Sequence, residues 1–312
     1  MRAVRVVDGR PVTVDVEPPR LDGVTVNVRS AGICGSDLHM LGLGFLGEHT
    51  IGHEIAGVTS DGTPVAIEPL FPCGRCAECL GGSYHLCAEV GLSICGLTVD
   101  GGMAEQIVVP ERALVPLPHG LELGDASLVE PMAVAVHGLG LAGATSADRV
   151  AVVGAGSIGL CAVAATVARG STVDVSARHD HQRVAAERLG AGPETVGQYD
   201  LVIETAGSES ALRTAVRLTR PGGRVLMLSV HWEPVASPGM PLWLKEVTVL
   251  HALTYCGRGP RRDVDVAAEI LAARPGIGDT LITHRFPLDA ATEAFATAAD
   301  RASGAIKVVL EP

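Results

Sequence analysis

Four of the chain's eight cysteines, Cys73, Cys76, Cys79 and Cys87, fall in the stretch FPCGRCAECLGGSYHLC over residues 71–87. The spacing C-x2-C-x2-C-x7-C, with Gly74, Gly81 and Gly82 among them, lets four thiolates close on one tetrahedral ion without a long excursion of chain. Zinc is the ion that this donor set favours. An iron–sulfur cluster and a redox dithiol are the other chemistries such spacing serves. Four thiolates leave no open coordination position, so this site is expected to be structural. A second donor set is scattered: GICGSDLHM, residues 32–40, supplies Cys34, and GHE, residues 52–54, supplies His53. A thiolate and an imidazole suit Zn²⁺, although a buried cysteine and a core histidine would leave the same trace.

A third motif is Gly154-Ala155-Gly156-Ser157-Ile158-Gly159. It follows the apolar run RVAVV and opens a helical pattern, the context in which GxGxxG carries information. The glycines allow a tight turn, the approach of a pyrophosphate to backbone N–H groups, and close packing of helix on strand. The helix N-terminus then favours the anion. A dinucleotide is therefore expected, with Thr205 as a further contact. An NAD site wants an acid at the end of the second strand, about 20 residues on. Ala177 stands there, followed by Arg178, with Arg183 about one helical turn further on. An arginine can hold a 2′-phosphate, so NADP is favoured over NAD. Asp174 is the rival acid, but it lies in mid-strand.

Elements that could position these residues follow from the patterning. The first 120 or so residues read as short alternating β segments: VTVDVEPP, GVTVNVRSAG, EIAGVTSDGTPVAI and AEQIVVPERALVPLP, broken by Gly, Pro and Asp. They suggest an antiparallel barrel-like domain. From about residue 121 strands alternate with helices, which predicts a parallel, doubly wound sheet. The final stretch reads helix, strand, helix, strand. With 312 residues, 47% hydrophobic, the chain is long enough for two domains with sizeable cores. Aromatics are only 3%, so those cores must be aliphatic.

A net charge of −11 argues against a nucleic-acid or anionic-membrane partner. The N-terminal stretch lacks the apolar core of a signal peptide, and no window has the about 18 apolar residues of a membrane span. A cytoplasmic protein is expected, where clustered cysteines suggest metal rather than disulfides. Cys95, Cys161 and Cys256 fall in no motif, and Cys161 sits in an Ala/Val-rich helical pattern that suits a core position.

Taken together, the motifs resemble the medium-chain, zinc-dependent alcohol dehydrogenases. GICGSDLH, GHE, the four-cysteine stretch, DGGMAEQIVVP, LVEPMAVAVHGL, VGAGSIG, RPGGRV, LITHRFPL and AIKVV occur in that family's order. The resemblance implies an α/β chain: a groES-like β-barrel catalytic domain, 1–125 and 258–312, interrupted by a Rossmann domain, 126–257. It implies two zinc ions, one structural and one catalytic. Cys34 and His53 match catalytic ligands, and Glu130 matches the third ligand position, which is commonly glutamate in the polyol, sugar and threonine branch. Glu54 matches an acid beside the metal that can exchange as a ligand. Asp37 matches a carboxylate that orients the histidine. Ser36 matches the hydroxyl that takes the alcohol proton, and His39 the histidine that passes it to solvent. Lys307 matches a basic position reaching the cofactor diphosphate. Hydride transfer between a secondary alcohol and a nicotinamide cofactor is the implied reaction, in a homodimer or homotetramer. Two other readings are a zinc-free quinone or enone reductase of the same superfamily, which would lack Cys34, His53 and the cysteine lobe, and a non-enzymatic redox sensor, which would not need Ser36 and His39. The segment MLGLGFLGEHTI between His39 and Gly52 is short for the family and implies a more open substrate cleft.

Overall fold

The computed structural model describes residues 1–19, 22–89, 91, 93–257 and 261–312. The chain divides into two compact units, Met1–Glu130 with Cys256–Pro312, and Pro131–Tyr255. The boundary expected at residue 258 falls outside the described residues.

The first unit begins with a hairpin of β1 (Arg2–Val7) and β2 (Arg10–Asp15). Its two-residue turn is Asp8-Gly9, both at positive φ, the Asp-Gly turn whose twist matches that of the strands. The long strand β3 (Val24–Gly32) organises the unit. It pairs antiparallel with β4 (Glu54–Thr59) and with β6 (Gln106–Val109), and the sheet continues through β5 (Pro64–Ile67) to β7 (Leu114–Pro116). Between β3 and β4 the chain forms helix α1 (Gly35–Leu43). Alternation along the strands sends Val26, Val28, Ile55, Val65, Ile67, Ile107 and Val109 into an aliphatic core in which Phe295 is the only fully aromatic buried member among the described residues. The lobe carrying the clustered cysteines holds the short helix α2 (Ala77–Leu80).

Helix α3 (Val129–Leu141) carries the division between the units within its first turn. The second unit is a five-stranded, wholly parallel sheet. Its strands are β8 (Arg149–Val153), β9 (Thr172–Ser176), β10 (Tyr199–Glu204), β11 (Thr219–Met227) and β12 (Thr248–His251), in spatial order β12-β11-β10-β8-β9. Strand order reverses at β8, and ligands of open α/β sheets bind outside the carboxyl ends of the strands at such a switch point. Helices α4 (Ser157–Ala168), α5 (Asp180–Arg188) and α6 (Glu209–Leu218) connect the strands. In α4, residues Gly159–Thr166 are all buried. Small Ala and Val side chains allow that close approach to the sheet.

The chain then returns to the first unit, where β13 (Ile282–Pro287) and β14 (Lys307–Glu311) join the sheet, with β14 beside β3. The barrel-plus-Rossmann architecture is thus the one the sequence implied. A short helix over Gly276–Leu281, missed in the sequence, precedes β13. Among the described residues no helix is long and apolar enough to cross a membrane.

Candidate active site

Cys34, His53 and Glu54 each offer a ligand atom, and these atoms lie within 4.8 Å of one another. Three features of the fold bring them together. Cys34 is the extended residue that caps α1, held there by its own amide donating to Asp37 Oδ2 at 2.9 Å. His53 follows Gly52, whose φ of +97° favours glycine. Glu54 opens β4 and stands opposite Gly32 of β3, where any Cβ would collide with its carboxylate.

The surroundings of His53 decide what the group can hold. Asp37 is fully buried, and its Oδ1 faces His53 Nδ1 at 3.3 Å. Nε2 is on the other side of the ring, 3.5 Å from Ser36 Oγ. Burial alone would pull the imidazole down, but Asp37 and the Cys34 sulfur outweigh it and push His53 well above its ordinary value. A potential that favours a proton on this ring also favours a metal cation once the ring is neutral. Thiolate, imidazole and carboxylate form a zinc donor set, and three protein ligands leave a position open. The residues therefore fit a catalytic zinc.

Glu130, expected as the third ligand, is not in that group; it lies buried in the first turn of α3. His39 lies on α1 and is exposed, while Ser36 is half-buried.

The four clustered cysteines also meet, with all sulfurs within 4.8 Å. Cys76 and Cys79 Sγ are 3.5 Å apart and Cys73 and Cys79 3.8 Å, far beyond a disulfide bond of about 2.05 Å. Gly74, at φ +72°, turns the chain so that the amides of Arg75 and Cys76 point at Cys73 Sγ, at 3.5 and 3.4 Å. The Cys73 amide, and then that of Glu89, hold the Cys87 thiol down at about 6. Burial, then the neighbouring Cys76, pushes Cys79 up to about 12. Cys73 is lowered too, by the amides of Arg75 and Cys76, while burial holds Cys79 up, and a divalent cation would relieve that resistance. This closed set fits a structural zinc.

In the second unit the chain leaves β8 through Gly154, at φ +102°, and enters α4 with Gly156 as its cap. A Cβ on Gly159 would strike the Gly154 carbonyl, the close helix–strand approach expected of the third glycine. Thr205 Oγ1 donates to Gly154 O at 3.0 Å and to Val153 O at 3.2 Å, tying the end of β10 to the glycine turn. Asp174 is not at the carboxyl ends: its Oδ2 accepts from Tyr199 OH at 2.7 Å and lies 3.3 Å from Arg149 Nη2, a residue at the start of β8. Ala177 and Arg178 directly follow β9, and Arg178 is exposed. Arg183 is engaged locally, donating to Ala177 O at 3.2 Å and pairing with Asp180.

Residues 20–119 match the alcohol dehydrogenase GroES-like domain, and residues 194–273 the zinc-binding dehydrogenase domain. The chain is 32% identical to L-arabinitol 4-dehydrogenase of Aspergillus oryzae, over 91% of this chain and 85% of that protein. It superposes on galactitol-1-phosphate dehydrogenase from Escherichia coli with a TM-score of 0.89 at 27% identity, covering both chains completely. A zinc-binding dehydrogenase from Sinorhizobium meliloti 1021, bound to NADP, matches with a TM-score of 0.86 at 30% identity over 100% of this chain and 99% of that one. The chain belongs to the zinc-binding alcohol dehydrogenase family, in its polyol dehydrogenase-like branch.

In this dehydrogenase Lys307 does not have the role that the resemblance implied. The ammonium is buried; it donates to both Glu54 carboxylate oxygens at 2.7 Å and to Ile33 O at 3.0 Å. The reason is register: β14 starts at Lys307 beside the end of β3, and β3 pairs with β4 at Glu54. Its three N–H donors are spent on that corner of the sheet instead of a diphosphate. Sequence reasoning also missed Glu204, a fully buried carboxylate at the end of β10. The signal was an acid closing the apolar run LVI.

Proposed function

We propose that this dehydrogenase oxidises and re-forms a secondary alcohol of a sugar alcohol or related polyol, using zinc and a nicotinamide dinucleotide, with NADP preferred. The grouping of Cys34, His53 and Glu54, with Asp37 behind the imidazole, carries this reading. Zinc would supply Lewis-acid polarisation of the alcohol oxygen, and the nicotinamide would take the hydride. Cys34 and His53 hold the metal in this proposal. Asp37 Oδ1, 3.3 Å from Nδ1, would orient the ring from that side and leave Nε2 for coordination, the usual carboxylate–histidine arrangement of a zinc site. Lys307 occupies both oxygens of Glu54 and neutralises its charge. Glu130 is therefore proposed as the third protein ligand, with Glu54 beside it as the exchanging carboxylate. Ser36, next to Nε2, takes the alcohol proton, and exposed His39 passes it on to water.

Support for a polyol comes from the relatives, named for arabinitol and galactitol phosphate. Support for NADP comes from Ala177 where an acid would bind the ribose hydroxyls, and from exposed Arg178 beside it; the related structure bound to NADP agrees. The test is a panel of sugar alcohols run with NAD and NADP in parallel, on protein of measured zinc content. About two zinc per chain are expected. His53→Ala should retain one and lose turnover. A His53→Ala enzyme that still turns over, or a wild-type preference for NAD, contradicts the corresponding part of the proposal.

A further inference from the structure

Glu204 is the last residue of β10 and is wholly buried. A buried carboxylate must be hydrogen-bonded or it is very costly. Its Oε1 accepts from the amides of Ala206 at 2.7 Å and Gly207 at 2.9 Å. Its Oε2 accepts from the Ser229 hydroxyl, just past β11, and faces His231 Nε2 at 3.9 Å. That imidazole nitrogen is itself buried with no hydrogen-bond partner, so the two groups face each other inside the fold. One side chain thus ties the 205–207 turn to the end of the neighbouring strand.

The turn it holds is the second wall of the glycine turn. Thr205 donates to Val153 O and Gly154 O. A Cβ on Gly154 would lie 2.8 Å from Thr205 Oγ1 and 3.0 Å from Ala206 Cβ. The positions of Gly154 and of the α4 N-terminus behind it therefore depend on where residues 205–207 stand, and the carboxylate of Glu204 fixes that.

We propose that Glu204 is a positioning residue for the dinucleotide: through the 205–207 turn it sets the shape of the glycine turn, so cofactor affinity depends on it more than the chemical step does. This rests on the dinucleotide reading of Gly154–Gly159. The hydrogen bonds, rather than the negative charge, are what matter, because a glutamine amide can keep both bonds from Ala206 and Gly207 through its oxygen and donate to Ser229 through its nitrogen.

The test is direct titration of the enzyme with NADPH and NADH by fluorescence, with kcat at saturating cofactor, zinc content and melting measured alongside. Glu204→Ala should raise Kd by about tenfold or more, as expected when the Ala206 and Gly207 amides and the Ser229 hydroxyl lose their acceptor inside the fold, while kcat stays within about threefold and zinc content is unchanged. Glu204→Gln should stay within about threefold of the wild-type Kd. A wild-type Kd in Glu204→Ala, or a fall in kcat without a change in Kd, overturns the inference. Equal losses in the Ala and Gln variants overturn the assignment to these hydrogen bonds. Ser229→Ala removes only the hydroxyl tie and serves where Glu204→Ala does not fold. It should raise Kd by about threefold, and an unchanged Kd counts against the inference. A wild-type enzyme that binds neither dinucleotide removes instead the reading on which all this rests.

Discussion

Replacing Lys307 by methionine tests the corner of the sheet where Glu54 is held. Lys307 and Glu54 side chains are 2% and 1% exposed and 2.7 Å apart. Methionine fills similar space but leaves a carboxylate in the interior with no cation. Breaking a buried pair by removing one partner costs about 3–5 kcal/mol. In a unit of this size each kcal/mol moves the melting temperature by about 2–4 °C. Lys307→Met should therefore melt about 6–20 °C below wild type at pH 7. Lys307→Met combined with Glu54→Gln should recover more than half of that, because the pair is then removed together and no charge is left buried. The assay is thermal denaturation followed by far-UV circular dichroism, with zinc content measured on each sample so that loss of metal is separated from loss of the ion pair. A single variant within about 2 °C of wild type, or a double variant no more stable than the single one, would refute the reasoning.

Glu130→Gln should release the zinc proposed at Cys34 and His53 more readily than wild type does, lowering affinity by about 10-fold or more, as measured by metal content after dialysis against a chelator; unchanged retention would pass the ligand role to Glu54. Zinc binding at this site should also depend on pH. His53 is raised in the fold, so its proton stabilises the metal-free fold fully below the unfolded value of about 6.5, and that contribution is lost as pH rises through the higher folded value. Because the metal needs the neutral ring, adding zinc to chelator-treated enzyme at pH 7 should release the His53 proton, a release missing in His53→Ala. Weakly buffered titration with a pH indicator measures it, and equal release from both proteins would contradict the assignment.

What could be read in the sequence was what local spacing controls. The four-cysteine lobe lies within 17 residues, 71–87, and a chain that short can bring its thiols together by local turns alone. The glycine motif is similar, since strand, turn and helix are consecutive. Cys34 and His53 belong to separate elements brought together by the β3–β4 pairing, so residue type alone offered them as a pair that a core cysteine and histidine would equally explain, and resemblance to a family gave them their role. Lys307 was misread for the same reason. Its partner Glu54 is 253 residues away, and the β14-to-β3 register that joins them leaves no mark on the residues nearby. Arg183 reads as a free cation on paper, yet Asp180, three residues earlier on α5, takes up its guanidinium. Glu204 went unnoticed because an acid closing the apolar run LVI reads equally well as a carboxylate that faces water at a strand end.

The pairing of Lys307 with Glu54 also sets an order of assembly. Cys34, His53 and Glu54 lie close together in the chain, but the ammonium that neutralises Glu54 follows it by 253 residues. Until then the growing chain holds Cys34 and His53, the proposed zinc ligands, beside a carboxylate that is costly to bury without its cation. The whole second unit, Pro131–Tyr255, lies between that carboxylate and its cation in the chain. A truncation that removes β14 would keep every proposed zinc ligand and still leave Glu54 without its buried cation.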